Sequence, residues 1–161
     1  LCHPNAVGAC NKLPCTMGRP GALKSSVAAS NRDRAMTQLA LGIIETDRTE
    51  SARLAKFFSE HGFVVELHVG PDSLVARLGS HPPHLVLICA CLGDPGVTAA
   101  MLRHIREASR LPTVILGGIN DVSPVLLLEA GADDVLDRAL PLRAILARLR
   151  AILRRAEWGL A

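Results

Sequence analysis

The feature that most constrains this chain is the run Leu85 to Leu92, LVLICACL, in which every residue is apolar. At eight residues it is far short of the roughly 18 to 20 that a membrane helix needs. No other apolar stretch of the chain approaches that length. A short run that is apolar on both faces fits a strand covered on both sides, the habit of parallel sheets.

The surrounding segments alternate in keeping with such a sheet. Leu39 to Ile44 reads as a short apolar strand, and Thr49 to His61 as a helix with Ala52, Ala55 and Phe58 at spacings of three, stopped by Gly62. Phe63 to Val69 alternates as a strand, and Pro71 to Leu78 forms a short helix stopped by Gly79. The strand His84 to Leu92 precedes a helix over Thr98 to Ser109 and a strand over Thr113 to Leu116, followed by Gly117-Gly118. Ser123 to Ala130 is helical, ending at Gly131, and Asp134 to Leu136 is a last short strand. Pro141 to Ala156 is an amphipathic helix whose Ile145, Leu146, Leu149, Ile152 and Leu153 make one apolar stripe. Pro141 sits in its first turn, where a missing N–H costs nothing.

Five strands alternating with five helices define a doubly wound parallel α/β domain. For a flavodoxin-like order, 2-1-3-4-5, the site lies at the carboxyl ends of strands one and three. Glu45-Thr46-Asp47 and Cys89-Ala90-Cys91 fall there.

Charge and cysteine divide the chain at about residue 36. Lys12, Arg19, Lys24, Arg32 and Arg34 face only Asp33, so the first 36 residues carry +4 of the overall +3 and the other 125 carry −1. The folded part is not basic, which argues against a nucleic-acid surface on it. Residues 1–36 are rich in Gly, Pro, Ser, Asn and Ala without periodicity, as in a disordered leader. Met36, just before the first patterned segment, is also a natural start, which would make the preceding residues an upstream artefact. The domain proper then covers 37–157, with 158–161 as the start of a linker or tail. Cys2, Cys10 and Cys15 lie in the leader, and Cys89 and Cys91 in the body. Five cysteines do not suggest a disulfide framework. Cys2, His3, Cys10 and Cys15 match no compact zinc-ligand spacing. With no secretory pattern and no membrane span, the expected compartment is the cytosol.

The residues also resemble a known family. IIETDRTESARLAKFFSEHGF is similar to the opening of a response-regulator receiver domain, HLVLICACLGDPG to its third strand and phosphorylation loop, and LPTVILGG to its fourth strand. EAGADDVLDRALPLRAILARLRAILRR resembles the last strand and helix of the OmpR/PhoB type. The resemblance runs from about Leu39 to Arg155.

In that family two acids after strand one hold magnesium, and an aspartate ending strand three takes the phosphoryl group. A Thr or Ser ending strand four and a Lys after strand five bind the phosphoryl oxygens. The matching positions here are Glu45, Thr46, Cys89, Gly117 and Arg138, with Ala139 in place of the usual Pro. The family's switch aromatic on strand five is Val135. The resemblance therefore implies a degenerate pseudo-receiver: a phosphorelay-type signalling module that is not an enzyme and does not use aspartyl phosphorylation. No cofactor is expected; Glu45 and Asp47 are the acids available for a metal. Asp47 reads either as a displaced metal ligand or as a helix N-cap. Asp94 reads as a turn residue before Pro95 or as a displaced acceptor.

Cys89 and Cys91 point to one face of a regular strand, which suits core packing or a redox or metal sensor. A nearby Arg138 favours a thiolate and Glu45 opposes it. A working phosphoacceptor with unusual residues is the other alternative.

Receivers of this type dimerise through helix four, strand five and helix five. Asp133, Asp134, Arg148, Arg154 and Arg155 match the family's ion-pairing residues, while Leu126 and Ala144 stand where a basic–acidic pair is usual. The helix-four run Val125 to Leu128 suggests a more hydrophobic, constitutive homodimer, or an ordinary core helix with one exposed Leu. A sensor kinase or an effector domain, as in a transcription regulator, is the further partner the resemblance implies. Direct nucleic-acid binding and membrane contact are not expected of this domain.

Overall fold

The computed structural model describes residues 38–90, 94–118 and 123–159. The leader over residues 1–36, the strand end at Cys91 and Leu92, and the last two residues of the expected tail lie outside them. The elements are β1 (Leu39–Ile44), α1 (Arg48–Glu60), β2 (Phe63–His68), α2 (Pro71–Leu78), β3 (Leu85–Ala90), α3 (Pro95–Ala108), β4 (Thr113–Gly117), α4 (Pro124–Glu129), β5 (Asp134–Asp137) and α5 (Leu142–Gly159). All strand pairs are parallel, and the sheet order is β2-β1-β3-β4-β5. This is the expected doubly wound sheet.

β3 lies at its centre with all six residues buried. Successive side chains enter opposite layers. Leu85, Leu87 and Cys89 join Leu54 and Phe58 of α1 and Ile145, Leu149 and Ile152 of α5. Val86, Ile88 and Ala90 join Leu74 of α2, Leu102 and Ile105 of α3 and Leu127 of α4. Each large aliphatic side chain contributes about 1.5–3 kcal/mol on full burial, so aliphatic packing makes most of this core, with Phe58 and Phe63 the buried aromatics in it. Gly62 and Gly131, with φ of 91° and 109°, turn the chain out of α1 and α4 in the left-handed region.

Two helix ends differ by three residues from the sequence pattern, and the burial of one helix differs from one of its readings. α3 begins at Pro95 rather than Thr98, because the Asp94 side chain caps it by accepting from the Gly96 N–H at 2.8 Å. Pro95 has no N–H to lose there, while the low helix propensity of Gly96 hides this turn in the sequence. α5 runs on past Ala156 to Gly159. On α4 only Leu127 is buried; Val125, Leu126 and Leu128 are 65%, 36% and 48% exposed. The reading with a single exposed Leu is therefore corrected to three exposed apolar residues. The helix is a mere six residues, and one residue per turn reaches the sheet.

Candidate functional site

Parallel pairing brings four of the expected positions to one edge of the sheet. Glu45 follows β1, Cys89 lies one residue before the end of β3, and Ala90 pairs with Gly117, which pairs with Asp137 just before Arg138. The Arg138 N–H donates to the Gly117 carbonyl at 2.8 Å, so the end of the β4–β5 ladder fixes where that arginine starts. Its guanidinium then spans the sheet edge and donates from Nη2 to Glu45 Oε2 at 2.7 Å. The Glu45 side chain is fully buried and that of Arg138 is 32% exposed. Glu45 Oε1 also accepts the Asp47 N–H at 2.9 Å. A buried carboxylate is tolerable only when paired and hydrogen-bonded, and here both of its oxygens are engaged.

Thr46 is exposed beside this pair. Asp47 is the N-cap of α1: its Oδ1 accepts from the Thr49 and Glu50 N–H groups at 2.8 and 2.9 Å. Cys89 is 9% exposed and packs in the core layer with Leu87 and Leu116. It also borders a narrow cleft of about 40 Å³ with Glu45, Thr46, Val69, Thr98 and Met101. Its expected companion, Cys91, lies outside the described residues. Val135 is half-buried against the opposite core layer.

Two residues of the site were not picked out from the sequence. Arg53 grips Glu50 with two bonds, Nε to Oε2 at 2.8 Å and Nη2 to Oε1 at 2.6 Å. The Arg53 hydrogen bond holds the Glu50 carboxyl below its ordinary value; burial opposes this, and the charges of Arg53 and Arg138 add to it. Glu50 in turn raises Arg53. The available signal was the i,i+3 spacing of these residues in the first turns of a helix capped by Asp47.

A magnesium ion at this edge would need several hard oxygen donors in octahedral array. The positions offer one carboxylate already shared with a guanidinium, an exposed threonine hydroxyl and a cysteine sulfur. The Asp47 Oδ1 is taken up by capping. These residues do not fit a magnesium site.

On the expected dimer face, charges pair within the chain. Asp134 meets Arg148 at 3.3 Å. Asp133 Oδ2 accepts from the Thr113 N–H at 2.7 Å and from Arg106 Nη2 at 2.6 Å. Arg106 of α3 donates as well to the carbonyls of Leu111 and Gly131. Ala144 is half-buried near the start of α5, and Leu126 is exposed on α4. Among the described residues no helix is long and apolar enough to cross a membrane.

The five-stranded parallel sheet of order 2-1-3-4-5, with this cluster at its carboxyl edge, is the CheY-like receiver fold. Sequence relatives of the chain include response regulators, and its structural neighbours include the receiver domain of one of them. It is 34% identical over 118 residues to the response regulator MprA of Mycobacterium ulcerans (strain Agy99), covering 71% of this chain and 50% of that protein. It is 28% identical over 116 residues to the TorCAD operon transcriptional regulatory protein TorR of Escherichia coli O157:H7, with the same coverage. A two-component response regulator from Clostridium difficile matches with a TM-score of 0.64 and 29% identity, over 74% of this chain and 98% of that one. No protein-family model matches. The chain spans about half the length of the curated relatives it matches.

Proposed function

We propose that this chain is a pseudo-receiver: a regulatory, non-catalytic module of two-component type that works without aspartyl phosphorylation and without magnesium. The observation that carries this reading is the Arg138–Glu45 pair at 2.7 Å. A phosphoacceptor pocket needs a carboxylate nucleophile, a dication and free donors for the phosphoryl oxygens. Here the strand-three position is a buried thiol, the strand-four position is Gly117 without a hydroxyl, and the cation is an arginine already bound to the remaining acid. Output is then constitutive, through a homodimer on α4, β5 and α5 whose apolar contribution comes from Val125, Leu126 and Leu128. A sensor kinase is not required, and an effector domain like that of a transcription regulator is the partner the relatives suggest.

The test is to add acetyl phosphate, or beryllofluoride with magnesium, to the protein. Intact mass and the amide spectrum are then read. Neither a phosphoryl mass increment nor a shift of the Glu45, Cys89 or Gly117 amides is expected. Stoichiometric modification, or saturable shifts at those amides, would show a working phosphoacceptor and overturn the reading.

A further inference from the structure

On the far side of β1 from the core layer that holds Cys89, two buried acceptors face each other. His68 ends β2 with its side chain 5% exposed, and its Nε2 lies 3.9 Å from Glu66 Oε2. Neither atom has a hydrogen-bond partner among the described residues. The tautomer follows from the serine next to the ring. Ser73 Oγ donates its single proton to the Gly70 carbonyl at 3.0 Å. With the serine proton on that shorter contact, we assign the 3.3 Å approach of Ser73 Oγ to His68 Nδ1 to an imidazole N–H. The neutral ring therefore carries its hydrogen on Nδ1 and turns the Nε2 lone pair toward a carboxylate oxygen.

Two acceptors in that arrangement repel until a proton lies between them. We propose that His68 and Glu66 form a proton-operated clasp, which closes when Nε2 is protonated and ties β2 to both ends of α2. Closed, the chain of bonds runs from Ser73 through His68 and Glu66 to Arg77, whose Nη2 lies 3.4 Å from Glu66 Oε1. Ser73 and Arg77 stand in the first and last turns of α2.

The charged neighbours set the balance. From β2 Glu66 favours the imidazolium, and from α2 Arg77 opposes it. Asp72 of α2 is 93% exposed and pairs instead with His104 of α3. β1 contributes no titratable group to this contact: Gly42 lies under the ring, and a Cβ there would come 3.6 Å from Nε2 and 3.3 Å from Leu74 and Pro83. Burial dominates and holds the His68 ring below its ordinary value, with Glu66 pulling upward, Arg77 downward and Ser73 upward. The clasp is therefore open at neutral pH and closes on acidification.

The clasp adjoins the carboxyl edge of the sheet. The His68 carbonyl accepts the Glu45 N–H at 3.4 Å, and the next residue, Val69, borders the cleft with Glu45 and Cys89. Nothing in the clasp depends on whether any residue there carries a phosphoryl group.

Imidazole nitrogen shifts of the whole chain, followed against pH, test this. The neutral ring is expected as the Nδ1–H form, titrating below an ordinary histidine. Glu66→Gln is expected to lower that midpoint by about one unit, as loss of a close opposite charge does. Arg77→Gln, at a half-exposed side chain, is expected to raise it. The Glu45 and Val69 amides are expected to titrate with the His68 midpoint. An Nε2–H neutral form would overturn the proposal, as would a midpoint that neither substitution moves. Amides at Glu45 and Val69 that ignore the His68 titration would overturn the link to the sheet edge.

Discussion

At the scale of single residues, the decisive contact joins positions 93 residues apart in sequence, Glu45 and Arg138. Arg138→Met removes the guanidinium and leaves a fully buried carboxylate. The expected cost is about 2–4 kcal/mol, at or below the usual range for a broken buried pair because Arg138 is partly solvated. Adding Glu45→Gln is expected to recover about 1–3 kcal/mol of that loss, since the orphaned charge is gone. Urea unfolding of the two single variants and the double variant checks both numbers. Additive losses would mean that the contact carries no coupling. Glu45 was legible in the sequence from its place after the first strand, whereas Arg138 and the substitution at Cys89 were legible only through the family resemblance. The direction of the guanidinium was not, because it depends on side-chain torsions and on the β4–β5 ladder. Glu66 and His68 were also missed. An alternating strand with a histidine at its end gives no sign that Ser73 and Arg77 fold back over it.

At the scale of elements, patterning located every strand and helix among the described residues, because apolar runs and glycine stops are dictated by burial and backbone sterics. It failed where capping competes with propensity. The start of α3 is set by Asp94 and Pro95, although Gly96 looks like a loop residue. α4 is the element whose composition exceeds its structural need: one leucine serves the core and three apolar side chains meet solvent. Leu126→Asp is expected to leave the melting temperature within a few degrees, since surface substitutions usually change stability by less than about 0.5 kcal/mol. In sedimentation it is expected to shift a wild-type dimer to monomer. A monomeric wild type at tens of micromolar would exclude the proposed dimer face.

At the scale of the whole molecule, Glu50 and His68 act on stability in the same direction as pH falls. Glu50 is held below the ordinary carboxylate value by Arg53. Its contribution is therefore present above that value and is lost as pH falls through the folded-state value. His68 is held low chiefly by burial. Below about pH 6.5 the unfolded chain takes up a proton before the folded one does, so stability declines on acidification. Unfolding free energy is expected to be level above about pH 7 and to fall toward about pH 5, with a shallower fall in His68→Gln. An unchanged slope in that variant would remove His68 as its source. The doubly wound architecture was legible at this scale because five apolar segments with helical connections leave few other ways to bury them. Which charges the fold would bury was not, since burial of Glu45 and His68 arises only when three strands align.

The arginine at the sheet edge has one consequence for control. A diffusible ion or phosphoryl group arrives and leaves, so occupancy reports its supply. A covalently tethered counter-ion stays at a fixed, high local concentration beside its carboxylate. On the proposed reading, the domain at neutral pH has no occupancy left to vary at that edge. The remaining quantity is dose: how much of the chain is made and how long it lasts, with dimer population rising as concentration rises.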